Sequence, residues 1–275
     1  YQDIPLRGTT RRAEKDWFLQ IIPNKYPAVK HGDCGLISQN GLYQSQPGVG
    51  FHEIVILKDH NRYLAQYSPI EIKTILMAYQ ERYLILAKEK CVKYISIFHN
   101  HGKEAGSTIP HPHSQILALP IIPPDVNHSI NGSRDYFHKY QECIHCQIIK
   151  QELKENKRII YQNEYAIVIA PFASKVNFEM RIFPKKHSAY FEKTSNNELA
   201  SFAEAMKFVF SIMHKELKDP AFNFYIHTAP NDENNDYNHY HWHMEILPKF
   251  NIIGSFELGT GLSIILVSPE EAALI

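Results

Sequence analysis

Two imidazoles and a primary amide stand at alternate positions in His111-Pro112-His113-Ser114-Gln115. Side chains along a strand alternate faces with a period of two, so this spacing predicts one surface lined by His111, His113 and Gln115. Imidazole titrates near pH ~6.5, which leaves a neutral fraction able to attack phosphorus without a separate base. The amide hydrogens of Gln115 can meet non-bridging phosphate oxygens as charge redistributes, and the arrangement demands no metal at the reacting phosphate. Upstream, the run Asn100-His101-Gly102-Lys103-Glu104-Ala105-Gly106-Ser107-Thr108 is a glycine-bearing polar loop whose N–H groups and hydroxyls suit phosphate oxygens. Pro112 cannot donate to a ladder and predicts an edge or an irregular stretch that a substrate can approach. Any one of these histidines alone would read as an ordinary core or surface residue; it is the constellation that points to phosphoryl chemistry.

A second group is Cys143-Ile144-His145-Cys146, whose two-residue gap lets both thiolates reach one tetrahedral zinc or act as a redox pair. The redox reading needs a thioredoxin-like βαβ unit, and no such pattern surrounds the motif. Four cysteines, the others being Cys34 and Cys91, are too few and too unevenly spread for a disulfide scaffold. Several of the 16 histidines fall in organised places, among them His60, His187, His239, His241 and His243.

The elements that must position these groups read as one unit used twice. His111 to Leu117 is echoed by His241-Trp242-His243-Met244-Glu245-Ile246-Leu247, and the β-rich run Val55 to His60 by Arg181 to His187. Each histidine is followed by a capping box, Ser68-Pro69-Ile70-Glu71 and Ser195-Asn196-Asn197-Glu198, which predicts a helix start in each half. Ile72, Ile75, Leu76, Tyr79, Tyr83 and Leu86 then recur at helical spacing up to about Lys90, as do Leu199, Phe202, Ala203, Met206, Phe210 and Met213. Strands are predicted at Tyr94 to Phe98 and Phe222 to Ile226, each followed by a His-x-His strand. Asn24-Lys25-Tyr26 and Asn163-Glu164-Tyr165 add a fourth correspondence at a different offset. Turn signals at Pro123-Pro124 and Asn131-Gly132-Ser133 place a connecting loop over Pro120 to Arg134. The expected fold is therefore α+β, two tandem halves at 1–125 and 126–275, each an antiparallel sheet with a long helix.

Composition agrees with a folded chain of this size: of 275 residues, 44% are hydrophobic, 12% aromatic and 21% charged. The 29 basic residues cancel the 29 acidic ones, so no whole-molecule field draws the protein to nucleic acid or to an anionic membrane. No apolar run approaches the ~20 residues of a membrane span, and the start, Tyr1 to Arg12, has no secretory core, which points to the cytoplasm.

At its active-site residues the chain resembles the galactose-1-phosphate uridylyltransferase family, the nucleotidyl-transferring branch of the histidine-triad superfamily. The resemblance is carried by Phe98-His99-Asn100-His101-Gly102, Gly106 and Pro110-His111-Pro112-His113-Ser114-Gln115. It extends through Asn24-Lys25-Tyr26-Pro27, Gly50-Phe51-His52-Glu53, Pro171-Phe172, Pro184-Lys185-Lys186-His187 and Phe256-Glu257-Leu258-Gly259-Thr260-Gly261. It is strongest to the hexose-1-phosphate uridylyltransferase and ADP-glucose phosphorylase type, and it implies two histidine-triad-like halves and a place in galactose and carbohydrate metabolism. It also implies ping-pong transfer of a nucleoside monophosphate between a nucleotide sugar and a sugar 1-phosphate. His113 then falls on the nucleophile, Gln115 on the phosphate-contacting amide, and Asn100, Gly106, Ser107 and Thr108 on nucleotide and phosphate contacts. Phe256 and Glu257 fall on sugar contacts. Cys143, Cys146, His187 and His241 match a structural zinc site, and His60 and His111 are their first-half equivalents.

Two departures accompany the resemblance. The first-half Cys-x-x-Cys expected upstream of Trp17 is absent from Tyr1 to Asp16, so either residues before Tyr1 supply it or the first zinc site has been lost; Cys34, in a Gly-Asp-Cys-Gly turn, does not match a ligand position. An apolar run, Ser263-Ile264-Ile265-Leu266, stands where relatives carry an asparagine-proline pair, which bears on the identity of the sugar. Glu245 in place of glutamine fits a structural second half, since a carboxylate there would repel phosphate. The expected activity is uridylyl transfer. The alternatives are adenylyl transfer from ADP-glucose to phosphate, a histidine-triad hydrolase or dinucleoside polyphosphate phosphorylase, and a non-catalytic nucleotide-binding protein. The family resemblance also allows a homodimer.

Overall fold

The computed structural model describes residues 2–4, of which only the backbone is considered, and residues 17–35, 37–232, 236–252 and 254–275. The segment expected to hold a first Cys-x-x-Cys lies outside the described residues. The first half comprises β1 (Gln2–Ile4), β2 (Leu19–Pro23), the hairpin β3 (Ser38–Asn40) and β4 (Tyr43–Ser45), β5 (Phe51–Leu57), α1 (Pro69–Leu86), β6 (Tyr94–His101) and β7 (His113–Leu119). The second comprises α2 (Pro124–Tyr140), α3 (Ile144–Glu155), β8 (Ile159–Gln162), β9 (Ala166–Ile169), β10 (Met180–Pro184), α4 (Asn196–Lys215), β11 (Phe222–His227), β12 (His243–Pro248), α5 (Ser255–Thr260) and α6 (Pro269–Ala272).

Both capping boxes form. Ser68 accepts from the Glu71 N–H and Ser195 from the Glu198 N–H, each glutamate reaching back to the cap residue, with Pro69 pre-set at the first position of α1. Buried residues recur on one face of each helix, including Ile72, Ile75, Leu76, Tyr79 and Tyr83 of α1 and Leu199, Phe202, Met206, Phe210 and Met213 of α4. These two faces pack on each other and on one side of the sheet, where Leu19, Val55, Ile97, Ile116, Phe224, Met244 and Ile182 complete the main core. α1 stops at Leu86, short of Lys90.

The antiparallel sheets of the two halves join edge to edge into one ten-stranded sheet. Strand order is β1-β2-β5-β7-β6-β11-β12-β10-β9-β8, and all the described pairings in it are antiparallel. The order reads the same from either end, with β6 and β11 joined at the centre: Asn223 pairs with Asn100 and Tyr225 with Phe98. Because residues alternate faces, Ser114, Ile116 and Ala118 of β7 are buried under the helices while His113 and Gln115 lie on the opposite, half-buried side.

Four expectations need correction. The strand begins at His113, so His111 lies outside it and does not share its surface by alternation; likewise His241 precedes β12. The connecting segment is not a loop. Residues 124–140 form α2, in which Val126 and Ile130 pack against Tyr94, Ala189, Tyr237 and Tyr240, a burial that outweighs the ~1 kcal/mol helix penalty of Gly132. The Asn-x-Tyr correspondence is topologically false, since Asn24 follows β2 whereas Asn163 follows β8, the counterpart of β1. Both asparagines use Oδ1 to accept a nearby backbone N–H, Tyr26 and Ala166 respectively, so the match reflected common turn chemistry. Finally, although no disulfide framework exists, one disulfide does, joining Cys34 and Cys91 across a sequence separation of 57, in keeping with Cys34 not matching a ligand position.

Beneath the site, the Tyr79 hydroxyl donates to Ser114 Oγ at 2.5 Å, and Ser114 Oγ in turn lies 3.0 Å from His99 Nδ1. All three residues are buried. Tyr79→Phe removes one buried hydrogen bond at nearly constant volume and is expected to cost about 1 kcal/mol, lowering Tm by about 2–4 °C. A Tm unchanged in differential scanning calorimetry would show that this hydrogen bond adds nothing to stability.

Candidate active site and metal centre

His113 opens β7, and its Nδ1 lies 2.8 Å from the His111 carbonyl oxygen. A carbonyl only accepts, so Nδ1 carries the proton and Nε2 the lone pair, the tautomer a nucleophile requires. Two positions along the same face, Gln115 Oε1 sits 2.8 Å from His52 Nε2. On β6 the amide of Asn100 is met by Asn223 from the second half, whose Nδ2 donates to Asn100 Oδ1 at 2.8 Å and to the Ala105 carbonyl at 2.8 Å.

The glycine loop is a tight structure rather than a loose one. Gly102 (φ 82°) and Gly106 (φ 84°) bracket a single 3-10 turn, Lys103–Ala105, and the Ser107 N–H returns to the Gly102 carbonyl at 3.1 Å. A Cβ on Gly102 would come within 2.6 Å of the Ala221 Cβ, so both the backbone conformation and the close approach require glycine. The loop lines a cavity of about 670 Å³ to which Asn100, Gly106, Ser107, Thr108 and His111 contribute. His113 and Gln115 do not line it. Phe256 and Glu257 are not brought to it either. Glu257 accepts from the Gly254 N–H at 3.1 Å and lines a separate cavity of about 260 Å³ with Lys175, Asn177, Phe250, Ile264 and Leu266.

The four second-half residues converge. Cys143 caps α3, Cys146 lies one turn inside it, His187 follows β10 and His241 precedes β12; their ligand atoms lie within 4.8 Å of one another. Cys146 Sγ is 3.3 Å from His187 Nδ1 and 3.4 Å from His241 Nδ1. The opposite nitrogens are held by carbonyls, His187 Nε2 by Asn238 at 2.8 Å and His241 Nε2 by Pro184 at 2.9 Å, so both rings turn Nδ1 inward. That is the carbonyl-oriented histidine typical of metal ligands. The Cys143 thiol is pulled far down, chiefly by the hydrogen bond from Cys146 and then by His187 and His241, whereas Cys146 is pushed up by sharing that proton. Two sulfurs and two imidazoles at this spacing suit a tetrahedral metal.

His111 repeats the pose of His241. Its Nε2 meets the Leu57 carbonyl at 2.6 Å and its Nδ1 lies 2.7 Å from His60 Nδ1. Among the described residues, no cysteine accompanies this pair.

In the second half, His227, His243 and Glu245 occupy the places of Asn100, His113 and Gln115. His243 keeps the nucleophile-like contact, Nδ1 to the His241 carbonyl at 3.0 Å. Glu245, however, accepts from Tyr225 (2.8 Å) and pairs with Lys175 (3.1 Å) and Arg181 (3.2 Å). Burial alone would raise its pKa, but His227, His243 and Arg181 together hold it well below the usual carboxylate range. The position equivalent to Gln115 is thus filled by an ion-pair cluster.

Two buried rings make stability pH-dependent. Burial first, then the charges of His101 and His113, push His99 down to about 3, and burial pushes His243 down to about 4. Unfolded histidine binds its proton below pH ~6.5, whereas these folded rings stay neutral until pH 3–4, so their stability contribution is complete above pH ~6.5 and is lost as pH falls. Between pH 7 and 5 each ring forfeits about 2 kcal/mol, an expected Tm decrease of several degrees. Calorimetry on chelator-treated protein separates this effect from metal release, and equal Tm values at the two pH values would contradict it.

His52, Asn223, Tyr79 and Arg181 were not assigned roles from sequence. His52 lies in a family-like Gly-Phe-His-Glu run, which was a signal of location without a role; for Asn223 no signal existed, because its partner is 123 residues away.

The family described as galactose-1-phosphate uridyl transferase, N-terminal domain, matches residues 10–123, and the HIT domain matches residues 152–252. ADP-glucose phosphorylase of Arabidopsis thaliana is 33% identical over 94% of this chain and 74% of its own. Galactose-1-phosphate uridylyltransferase of Thermotoga maritima is 30% identical over 94% and 84%. The chain belongs to the galactose-1-phosphate uridylyltransferase family. A solved uridylyltransferase superposes with a TM-score of 0.86 at 30% identity, covering 98% of this chain and 92% of that one. The Arabidopsis ADP-glucose phosphorylase with bound ADP-glucose superposes at 0.83, with 33% identity and coverage of 94% and 81%. As a member of the uridylyltransferase family the chain is an enzyme of nucleotidyl transfer. Among the described residues, no helix is long and apolar enough to cross a membrane.

Proposed function

We propose that the chain moves a nucleoside monophosphate, UMP in the first reading, between a nucleotide sugar and a hexose 1-phosphate through a covalent intermediate on His113. The observation that carries the proposal is the His113 Nδ1 contact to the His111 carbonyl, which leaves the lone pair on Nε2. Nε2 attacks the α-phosphorus, the bond from that phosphorus to the oxygen of the sugar 1-phosphate breaks, and its electron pair leaves with that phosphate. A second phosphate oxygen then attacks, the Nε2–P bond breaks, and the imidazole is restored. Gln115, Asn100 and the N–H groups and hydroxyls of Gly106, Ser107 and Thr108 are proposed to hold the phosphates and the nucleotide, and Phe256 and Glu257 the sugar. A second reading, adenylyl transfer from ADP-glucose to phosphate, is favoured by the likeness to the Arabidopsis phosphorylase.

The halves are taken as 1–125, carrying the nucleophile, and 126–275, carrying the metal. Cys143, Cys146, His187 and His241 are proposed to hold a structural zinc, since protein groups would fill all four positions; His60 and His111 are the remnant or the incomplete half of a first site. We place the enzyme in the cytoplasm, away from membranes and nucleic acid, in keeping with its balanced charge. A homodimer is the assembly that the family resemblance allows.

The test is intact-mass spectrometry under non-acidic conditions after incubation with UDP-glucose, UDP-galactose or ADP-glucose. A UMP or AMP adduct is expected and names the base. With zinc-replete, folded protein, absence of an adduct from every donor argues for a binding protein or a hydrolase with a short-lived intermediate.

A further inference from the structure

The two amides of the phosphate site, Gln115 and Asn100, can each face either way, since rotating a carboxamide by half a turn exchanges its oxygen for its NH₂. Only the orientation that presents NH₂ to an anion is productive. At both amides the carbonyl oxygen is pinned by a neighbouring side chain, and each pin is itself oriented by backbone.

For Gln115 the pin is His52. The Ala28 N–H donates to His52 Nδ1 at 3.0 Å, which makes Nδ1 the acceptor of a neutral ring and puts the single ring proton on Nε2. That proton points at Gln115 Oε1, 2.8 Å away. Asn24, whose own Oδ1 accepts from the Tyr26 N–H, brings its NH₂ to 3.2 Å from the same Nε2, which as a protonated nitrogen cannot accept from it. A reversed Gln115 would place a third donor there with no acceptor to receive it.

For Asn100 the pin is Asn223. Its Nδ2 lies 2.8 Å from the Ala105 carbonyl, which fixes which end of the Asn223 amide is NH₂, and the second hydrogen meets Asn100 Oδ1. Asn100 Nδ2 is thereby turned toward the glycine loop, 4.0 Å from where a Cβ on Gly106 would stand. The two assignments are independent and reach the same result from opposite sides of His113.

We propose that His52 and Asn223 are positioning residues that lock Gln115 and Asn100 with their NH₂ groups toward the phosphoryl group on His113. This rests on the nucleotidyl-histidine reading given above. It also gives the second half a part in transfer beyond holding a metal, because Asn223 reaches across the central β6–β11 pairing.

The test compares His52→Leu, His52→Gln and Asn223→Asp with wild type. It uses single-turnover adduct formation from UDP-glucose or ADP-glucose, whichever labels the wild type, with thermal melts alongside. His52→Leu is expected to slow adduct formation about 10- to 100-fold, with donor KM changed far less. His52→Gln keeps an N–H near the Nε2 position and is expected to recover to within about fivefold, a rescue that lost packing would not produce. Asn223→Asp sets an oxygen against both Ala105 and Asn100 and is expected to slow the step about 10- to 100-fold. Wild-type rates in His52→Leu and Asn223→Asp overturn the proposal alone, as does a glutamine variant no faster than the leucine one. A wild type that forms no adduct overturns the reading of His113 and this proposal with it.

Discussion

His113→Ala is expected to form no nucleotidyl adduct and to lose turnover by at least about 10³-fold, with the fold intact. Alanine has no lone pair at the Nε2 position, so the covalent route closes, while the NH₂ donors of Gln115 and Asn100 and the glycine loop remain to bind nucleotide. Removing a nucleophile therefore separates chemistry from binding: donor affinity persists and the rate collapses. His113 is half-buried and, among the described residues, its side chain makes one hydrogen bond, to the His111 carbonyl. The Tm should move by no more than a few degrees, since about 1 kcal/mol is at stake. The same mass spectrometry used for the wild type reads the adduct, and steady-state assays read the rate. An adduct of undiminished yield in the variant, or activity within tenfold of wild type, would place the nucleophile elsewhere.

Cys143→Ser is expected to abolish bound zinc and to lower Tm by about 10 °C or more, while transfer at low temperature stays within a few fold of wild type. Serine is a favoured helix N-cap, so the start of α3 loses no capping and the effect is attributable to the missing thiolate. The metal would tie α3 to the end of β10 through His187 and to the start of β12 through His241. Without it, α3 keeps Ile149 packing against Ile167, Ile169 and Phe183, the His145 ring against Phe183 and Tyr240, and the buried Glu152–Arg158 pair. Removing one member of a buried, charged ligand set typically costs several kcal/mol. Elemental analysis of wild type and variant, with melts before and after chelation, decides the matter. Equal zinc content, or a Tm indifferent to chelator, would show that these four residues are not the metal site.

Much of this was legible from residue order alone. The capping boxes at Ser68 and Ser195 and the apolar faces of α1 and α4 are local signals, and they marked both helices. The His-x-His repeats marked His113, the proposed nucleophile, and its counterpart His243, and the Cys-x-x-Cys pair converges with His187 and His241. What failed was non-local. Asn131-Gly132-Ser133 reads as a turn until Val126 and Ile130 find the buried tyrosines that make a helix worthwhile. His111 looked like a strand residue because period-two alternation does not reveal where a strand begins. Cys34 and Cys91 stand far apart in sequence, and only the folded chain brings their Cα atoms to 5.4 Å. Asn223 had no local mark at all, because its hydrogen-bond partner Asn100 lies in the other half.

The pairing of β6 with β11 bears on what the duplication has become. An isolated first half would end its sheet at β6, baring a long edge whose outer neighbour is normally β11 and whose buried side carries Ile95 and Ile97. Such an edge invites a foreign strand, so a half released from its sister would be prone to self-association rather than to autonomous folding. In the shared ladder each half serves as the other's edge protection, so neither can be removed without exposing the strand that the other covers.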